Sequence, residues 1–230
     1  MRRDTDVLRT PITVAVAGAA AALVLLSACG SVRLGAAAVS NSTRISTATL
    51  TAEVSTLNSA YQADKSKIKF QFPAANAPQQ VLSWLLRFQV RNQLAARNGI
   101  NVTRSEIQAS LNSLAATAKQ NGLTLTQLAV ANGVPPDQLT ALGTYQAIGN
   151  LMVGRLDGGT LPKSNAALSA LSLRLDNAQC RAAASLGIQV NPQFGALDYR
   201  QMSVVRVSNS LAASAATASP SASPQLTPHC

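Results

Sequence analysis

The stretch from Gly99 to Pro162 carries helix start and stop signals so densely that little except a set of short helices can be built from it. Thr103-Arg104-Ser105-Glu106 has the form of a capping box, in which a hydroxyl and a carboxylate satisfy backbone N–H groups at a helix start. Ile107, Leu111, Leu114 and Ala118 follow at the spacing of one buried face, and Asn121-Gly122 stops the run. Thr124-Leu125-Thr126-Gln127 repeats the box for a shorter helix that ends at Asn132-Gly133. Pro135-Pro136-Asp137 opens the next, with Leu139, Leu142, Tyr145, Gly149, Met152 and Leu156 inside; Gly158-Gly159 and Pro162 break it.

The flanks extend this plan. A helix beginning near Ile45 carries Leu50, Val54, Leu57 and Tyr61 on one face, and a loop from Lys65 to Pro78 alternates basic and apolar residues. The helix expected over 78–98 is apolar nearly all round, with only Ser83, Arg87, Arg91 and Asn98 on a narrow polar stripe. Such a helix either occupies the centre of a bundle or shows part of its surface to a partner. A last helix carries Leu168, Leu171, Leu175, Ala178 and Ala182 and ends at Gly187. Short strands are expected at Ala36–Val39, Ile188–Val190 and Met202–Val207, with residues 191–198 as the connection between the last two. The fold class is mainly α: a helical bundle with a small β element formed by the N- and C-terminal segments of the domain. Residues 208–230, rich in Ser, Ala, Thr and Pro, are expected to be disordered.

The N-terminus is an address. Arg2, Arg3 and Arg9 precede an uncharged apolar run, Ile12–Leu26, whose fifteen residues fall short of the roughly 20 needed to span a bilayer. The run closes in Leu26-Ser27-Ala28-Cys29-Gly30, which resembles the lipobox of bacterial lipoproteins. That resemblance implies cleavage between Ala28 and Cys29, lipidation of Cys29, and a membrane anchor on the extracytoplasmic face of the cell membrane. A plain signal peptide cut before a cysteine is the alternative. The expected organisation is a signal peptide over 1–28, a tether over 29–35, a helical domain over 36–207 and the tail over 208–230.

Export changes the meaning of the charge. The whole protein is +10, and removal of residues 1–28 leaves sixteen basic and seven acidic residues. Anionic headgroups, acidic wall polymers or acidic segments of exported proteins are the expected counter-surfaces, and nucleic acid is not. One histidine, His229, and singly scattered carboxylates exclude the usual Ser-His-Asp and Cys-His catalysts and predict no metal site and no cofactor.

Three segments together resemble the N-terminal domain of SurA/PrsA-type extracytoplasmic chaperones, over roughly residues 35–207. Val39-Ser40-Asn41-Ser42-Thr43-Arg44-Ile45-Ser46 stands where that family has a strand, a turn and a helix start. Leu123–Leu139 resembles its two helices around an Asn-Gly break, and Leu186-Gly187-Ile188-Gln189-Val190-Asn191-Pro192-Gln193-Phe194-Gly195 resembles its closing motif in actinobacterial lipoproteins. Larger members insert a parvulin prolyl isomerase domain between the last two helices. Here Asp157 to Ser164 is eight residues, too few for a domain of about 50 or more. The resemblance therefore implies a chaperone half without the isomerase: a protein that binds unfolded or partly folded exported polypeptides and is not an enzyme. A dedicated partner subunit or envelope scaffold is the rival reading.

The aromatic residues are the expected peptide-binding groups. Phe70 and Phe72 lie on the loop, while Trp84 and Phe88 on the apolar helix fit either a client surface or the core. Lys65, Lys67 and Lys69 suit anionic headgroups or a solvated loop. Asn191, Pro192, Phe194 and Gly195 are expected to shape a tight turn between the terminal strands. Cys180 and Cys230 permit one disulfide in an oxidising compartment, and spacing alone does not decide between it and two free thiols.

Overall fold

Short apolar segments near both ends of the domain, Ala36–Val39 and Ile188–Val190, bring those ends together. In the computed structural model, which describes residues 35–41, 43–156, 164–206 and 230, β1 (Ala36–Val39) pairs antiparallel with β2 (Arg44–Ser46). The other edge of β1 takes β3 (Gln189–Val190), with Ala38 opposite Val190 and Val39 opposite Gln189. The order β2-β1-β3 thus joins the start of the domain to its end. Asn191 fastens the seam, its backbone N–H donating to the Ala37 carbonyl at 2.9 Å and its side-chain Nδ2 to the Ala36 carbonyl at 3.0 Å.

Between these strands the described residues form six α-helices: α1 (Thr47–Asp64), α2 (Ala77–Arg97), α3 (Arg104–Gln120), α4 (Leu125–Ala131), α5 (Leu139–Leu156) and α6 (Asn165–Ser185). Both capping boxes form. The backbone N–H of Thr103 donates to Glu106 Oε2 at 2.7 Å and that of Thr124 to Gln127 Oε1 at 3.0 Å, each box closed by the reciprocal bond. These bonds to Thr103 hold the Glu106 carboxyl below its usual range. Pro135-Pro136 gives one turn of 3₁₀ helix, Pro136–Gln138, before α5 begins.

α2 is the axis of the bundle. It packs on α1, α5 and α6, and Val81, Leu82, Leu86 and Val90 are all fully buried. Much of the polar stripe is buried with them: Ser83 is 1% exposed and Arg91 4%, Arg87 is half-buried, and Arg97 and Asn98 at the C-terminal end are exposed. The helix is therefore the centre of the bundle, with Arg91 inside it.

The C-terminal segment departs from expectation. Residues 191–198 are not simply a connection, because Ala196–Asp198 forms a strand, β4, that pairs with β5 (Ser203–Val205). The expected strands at 188–190 and 202–207 do not share a turn. The first pairs with β1, the second with β4, and Val207 lies outside the described residues. Asn191-Pro192-Gln193-Phe194-Gly195 is instead the turn from β3 into β4, closed by Phe194 N–H to Asn191 O at 2.9 Å. Gly195 has φ of +120°, and a Cβ there would lie 2.1 Å from the Val205 carbonyl oxygen. Only glycine fits both conditions.

Residues 1–34, which include the expected signal peptide and its cleavage point at Ala28 and Cys29, and residues 207–229 of the tail lie outside the described residues. Cys230 is described, and its Sγ is bonded to that of Cys180 on α6, with a Cα–Cα separation of 5.7 Å. No helix among the described residues is long and apolar enough to cross a membrane.

Candidate functional site

β5 lies against α2 and runs in the opposite direction. Arg87 Nε donates to the Met202 carbonyl at 2.9 Å and Nη2 to the Gln201 carbonyl at 3.2 Å. One turn earlier on the helix, Ser83 Oγ accepts the Val204 N–H at 2.7 Å while donating to the Gln79 carbonyl at 2.6 Å. Just before the helix, the Ala75 carbonyl accepts from Arg206 Nη2 at 2.8 Å. A strand edge that would otherwise be open is thus closed by helix side chains. This seam has a recess at each end.

The recess at the N-terminal end of α2 is a groove of about 220 Å³ lined by Phe72, Gln79, Gln80, Val204, Val205 and Arg206. Beside it the loop after α1 stacks three half-buried rings, Tyr61 on Phe70 at 4.0 Å and Phe70 on Phe72 at 4.6 Å between centroids. The loop is held by Gln71 N–H, which donates to the Ala131 carbonyl at 2.8 Å. The Asn132-Gly133 turn after α4 packs against two of the groove's lining residues, Gln80 and Phe72. Its Asn132 carbonyl accepts from both Gln80 Nε2 at 3.0 Å and Trp84 Nε1 at 2.9 Å. A Cβ on Gly133 would stand 2.3 Å from Gln80 Cγ and 3.0 Å from Phe72 Cε1, so the missing side chain is what lets both groups lie there. Beneath the groove, Gln79 Oε1 is buried without a hydrogen-bond partner, as is Ser203 Oγ on the adjoining strand. Each such atom costs about 1–3 kcal/mol until a partner reaches it.

The four aromatic residues singled out in the sequence do not converge. Phe72 lines the groove, and Phe70 stacks on Phe72 beside it. Phe88 is 6% exposed and packs with Ala129 and Val134, so it belongs to the core and offers no surface to a client. Trp84 is half-buried, its ring 5.7 Å from Phe88 and 5.8 Å edge-on to Tyr145. Lys65, Lys67 and Lys69 are exposed, and Lys67 Nζ lies 3.9 Å from Asp64.

Arg87 and Arg91 of α2 are what the sequence pattern does not reveal as site residues. The Arg87 guanidinium sits 4.9 Å from the Trp84 ring centroid and that of Arg91 4.1 Å from the Tyr145 centroid. Burial lowers the pKa of both, with Tyr145 acting in the opposite sense on each and Asp176 also doing so on Arg91. The available signal was physical: arginines four residues apart on a helix apolar all round are either on the surface or costly to bury.

Comparison of the protein with family models, curated proteins and solved structures gives no match. Among the described residues no three His, Cys, Asp or Glu side chains come together in a way that would hold a metal ion. The groove offers ring faces, aliphatic walls and amide groups, which suit non-covalent contact with a polypeptide.

Proposed function

We propose that the protein is a membrane-anchored, extracytoplasmic chaperone-like lipoprotein that binds non-native segments of exported polypeptides in the groove beside Phe70 and Phe72. Anchoring rests on the lipobox-like end of the N-terminal segment, with Cys29 as the lipidated residue, and the chaperone class on the resemblance to SurA/PrsA-type domains. The observation that carries the reading is the groove itself, where a stacked aromatic shelf meets an unpaired buried amide oxygen. A ring or aliphatic side chain of the client would lie against Phe72 while the Gln79 side chain turns its amide oxygen outward to accept a client backbone N–H. Binding of this kind is weak, sequence-tolerant and needs no ATP or covalent step.

The test is suppression of aggregation of several unrelated unfolded proteins by the protein from residue 29 onward, with Cys29→Ser and the disulfide intact. Near-stoichiometric suppression is expected, and Phe70→Leu with Phe72→Leu should weaken it while leaving the melting transition cooperative, because leucine keeps apolar volume and removes the ring faces. Loss of stacking is worth about 0.5–1.5 kcal/mol per ring pair, or roughly two- to tenfold in affinity. No suppression by the folded protein would overturn the proposal.

The rival reading, a dedicated partner subunit, draws on a different observation. The large hydrophobic residues exposed on the described surface are Leu168 and Leu173, at 42% and 63%, both on α6. One stoichiometric partner recovered by crosslinking at α6 would favour it.

A further inference from the structure

At the other end of the seam, α2, α5, α6 and the turn between β4 and β5 enclose a pocket of about 170 Å³, lined by Arg87, Tyr145, Asp176, Gln179, Arg200 and Met202. We infer that this pocket binds a carboxylate group, with Arg87 as its principal ligand.

The argument begins with unbalanced charge. A cation taken out of water needs an anion or a full set of acceptors. Arg87 and Arg91 are both largely buried, yet neither has a carboxylate within ion-pair distance among the described residues. Arg87 places Nε and one Nη2 hydrogen on backbone carbonyls. That leaves three of its five N–H donors without a protein acceptor among the described residues. Arg91, behind it, donates Nε to Gln179 Oε1 at 3.2 Å, which turns the amide of Gln179 so that its NH₂ group is available as a further donor. The guanidinium of Arg200, at the exposed rim, likewise has no acceptor among the described residues.

The site is held in shape before any ligand arrives. Arg87 is sandwiched between the Trp84 ring and the β4–β5 turn, and Arg91 lies over Tyr145. Opposite Arg91, α5 has Gly149. A Cβ there would stand 2.6 Å from Arg91 Nη1, so a glycine in mid-helix, unfavourable by about 1 kcal/mol against alanine, makes room for the guanidinium. Backbone and rings thus hold a planar donor fork of the kind that matches the two oxygens of a carboxylate.

Asp176 on the rim selects among anions. Its negative charge, close enough to influence Arg91, tells against a phosphate dianion more than against a carboxylate monoanion. The volume admits the carboxylate and the carbon atoms next to it, since a water molecule occupies about 30 Å³ of liquid. The C-terminus of a polypeptide, an acidic side chain and a small organic acid all present this chemistry. The inference stands apart from the aromatic groove and does not require the chaperone reading.

Trp84 is the only tryptophan of the protein and lies under Arg87, so its fluorescence reports directly on the site. The experiment titrates the protein from residue 29, with Cys29→Ser and the disulfide intact, using five probes. These are acetate, inorganic phosphate, an acetylated tetra-alanine peptide with a free C-terminus, its C-terminal amide, and an amidated peptide carrying one glutamate. Saturable change is expected with acetate and the free-acid peptide and none with the plain amide. The glutamate peptide then tells whether an acidic side chain serves as well as a free C-terminus. Arg87→Gln should weaken binding about tenfold or more, the loss of one charge-assisted hydrogen bond. Should that variant not fold, Arg200→Gln at the exposed rim replaces it and should also weaken binding. Response to no carboxylate, equal response to the plain amide, tighter binding of phosphate than acetate, or unchanged affinity in the folded variant would each overturn the inference.

Discussion

At the scale of single residues, the protein's chemistry lies in polar groups that are buried without full compensation. Glu53 on α1 is one. It is 9% exposed, its Oε1 accepts from Gln138 Nε2 at 2.7 Å, and its Oε2 has no partner. Burial, and then the nearby Asp137 charge, raise its pKa above the ordinary value of 4.5. The sign of the consequence follows from proton linkage. The folded state holds this proton more tightly than the unfolded state does, so the contribution to stability is complete below 4.5 and is lost as pH rises through the elevated value. Glu53→Gln keeps the shape and removes the titration. It should raise the urea midpoint at neutral pH and flatten the decline between mildly acidic and neutral conditions, as measured by unfolding across that range. A variant less stable than the parent at pH 7 would show that other contacts stabilise the ionised carboxylate.

At the scale of elements, the helix-to-strand seam is the device that positions both recesses. Ser83 is its centre, because its hydroxyl closes the open edge of β5 and the helix at once. Ser83→Ala leaves the buried Val204 N–H without an acceptor, a cost of about 1–3 kcal/mol. The expected outcome is a lower denaturant midpoint, with amide exchange at Val204 and Val205 accelerated more than in α3. The elements themselves were unequally legible in the sequence. Helices α3 and α4 announce themselves, because a capping box and an Asn-Gly stop are local chemistry and need no tertiary context. The hairpin of β4 and β5 is hidden, because strands of three residues carry too short an alternation to be read and are defined by what they pack against. The burial of Arg87 and Arg91 is hidden for a related reason. Their acceptors come from elements distant in sequence, the β4–β5 turn for Arg87 and Gln179 on α6 for Arg91.

At the scale of the whole molecule, the fold is closed on itself by sequence-distant contacts. β1 and β3 join the ends of the domain, and Asn41 N–H donates to the Leu186 carbonyl at 2.9 Å beside that joint. The Cys180–Cys230 bond returns the last residue to α6 across a sequence separation of 50. A β element built from both ends of the domain was legible in the sequence; the two bonds by which Asn191 fastens it to β1 are not revealed by any local pattern. Of the aromatic residues, Phe70 and Phe72 on the loop are half-buried, as is Trp84, while Phe88 on the same helix as Trp84 is core. Helical position alone does not separate those two rings, since burial depends on what packs against each face.

The central claim is that the groove beside Phe72 is where a non-native polypeptide is held. Hydrogen–deuterium exchange of the protein from residue 29, alone and with a saturating unfolded client, reads this residue by residue. Protection is expected over 69–80 and 203–206, and it should weaken in the Phe70→Leu, Phe72→Leu variant. Protection confined to α6 around Leu168 and Leu173, with the groove unchanged, would contradict the claim and assign recognition to the other face of the molecule.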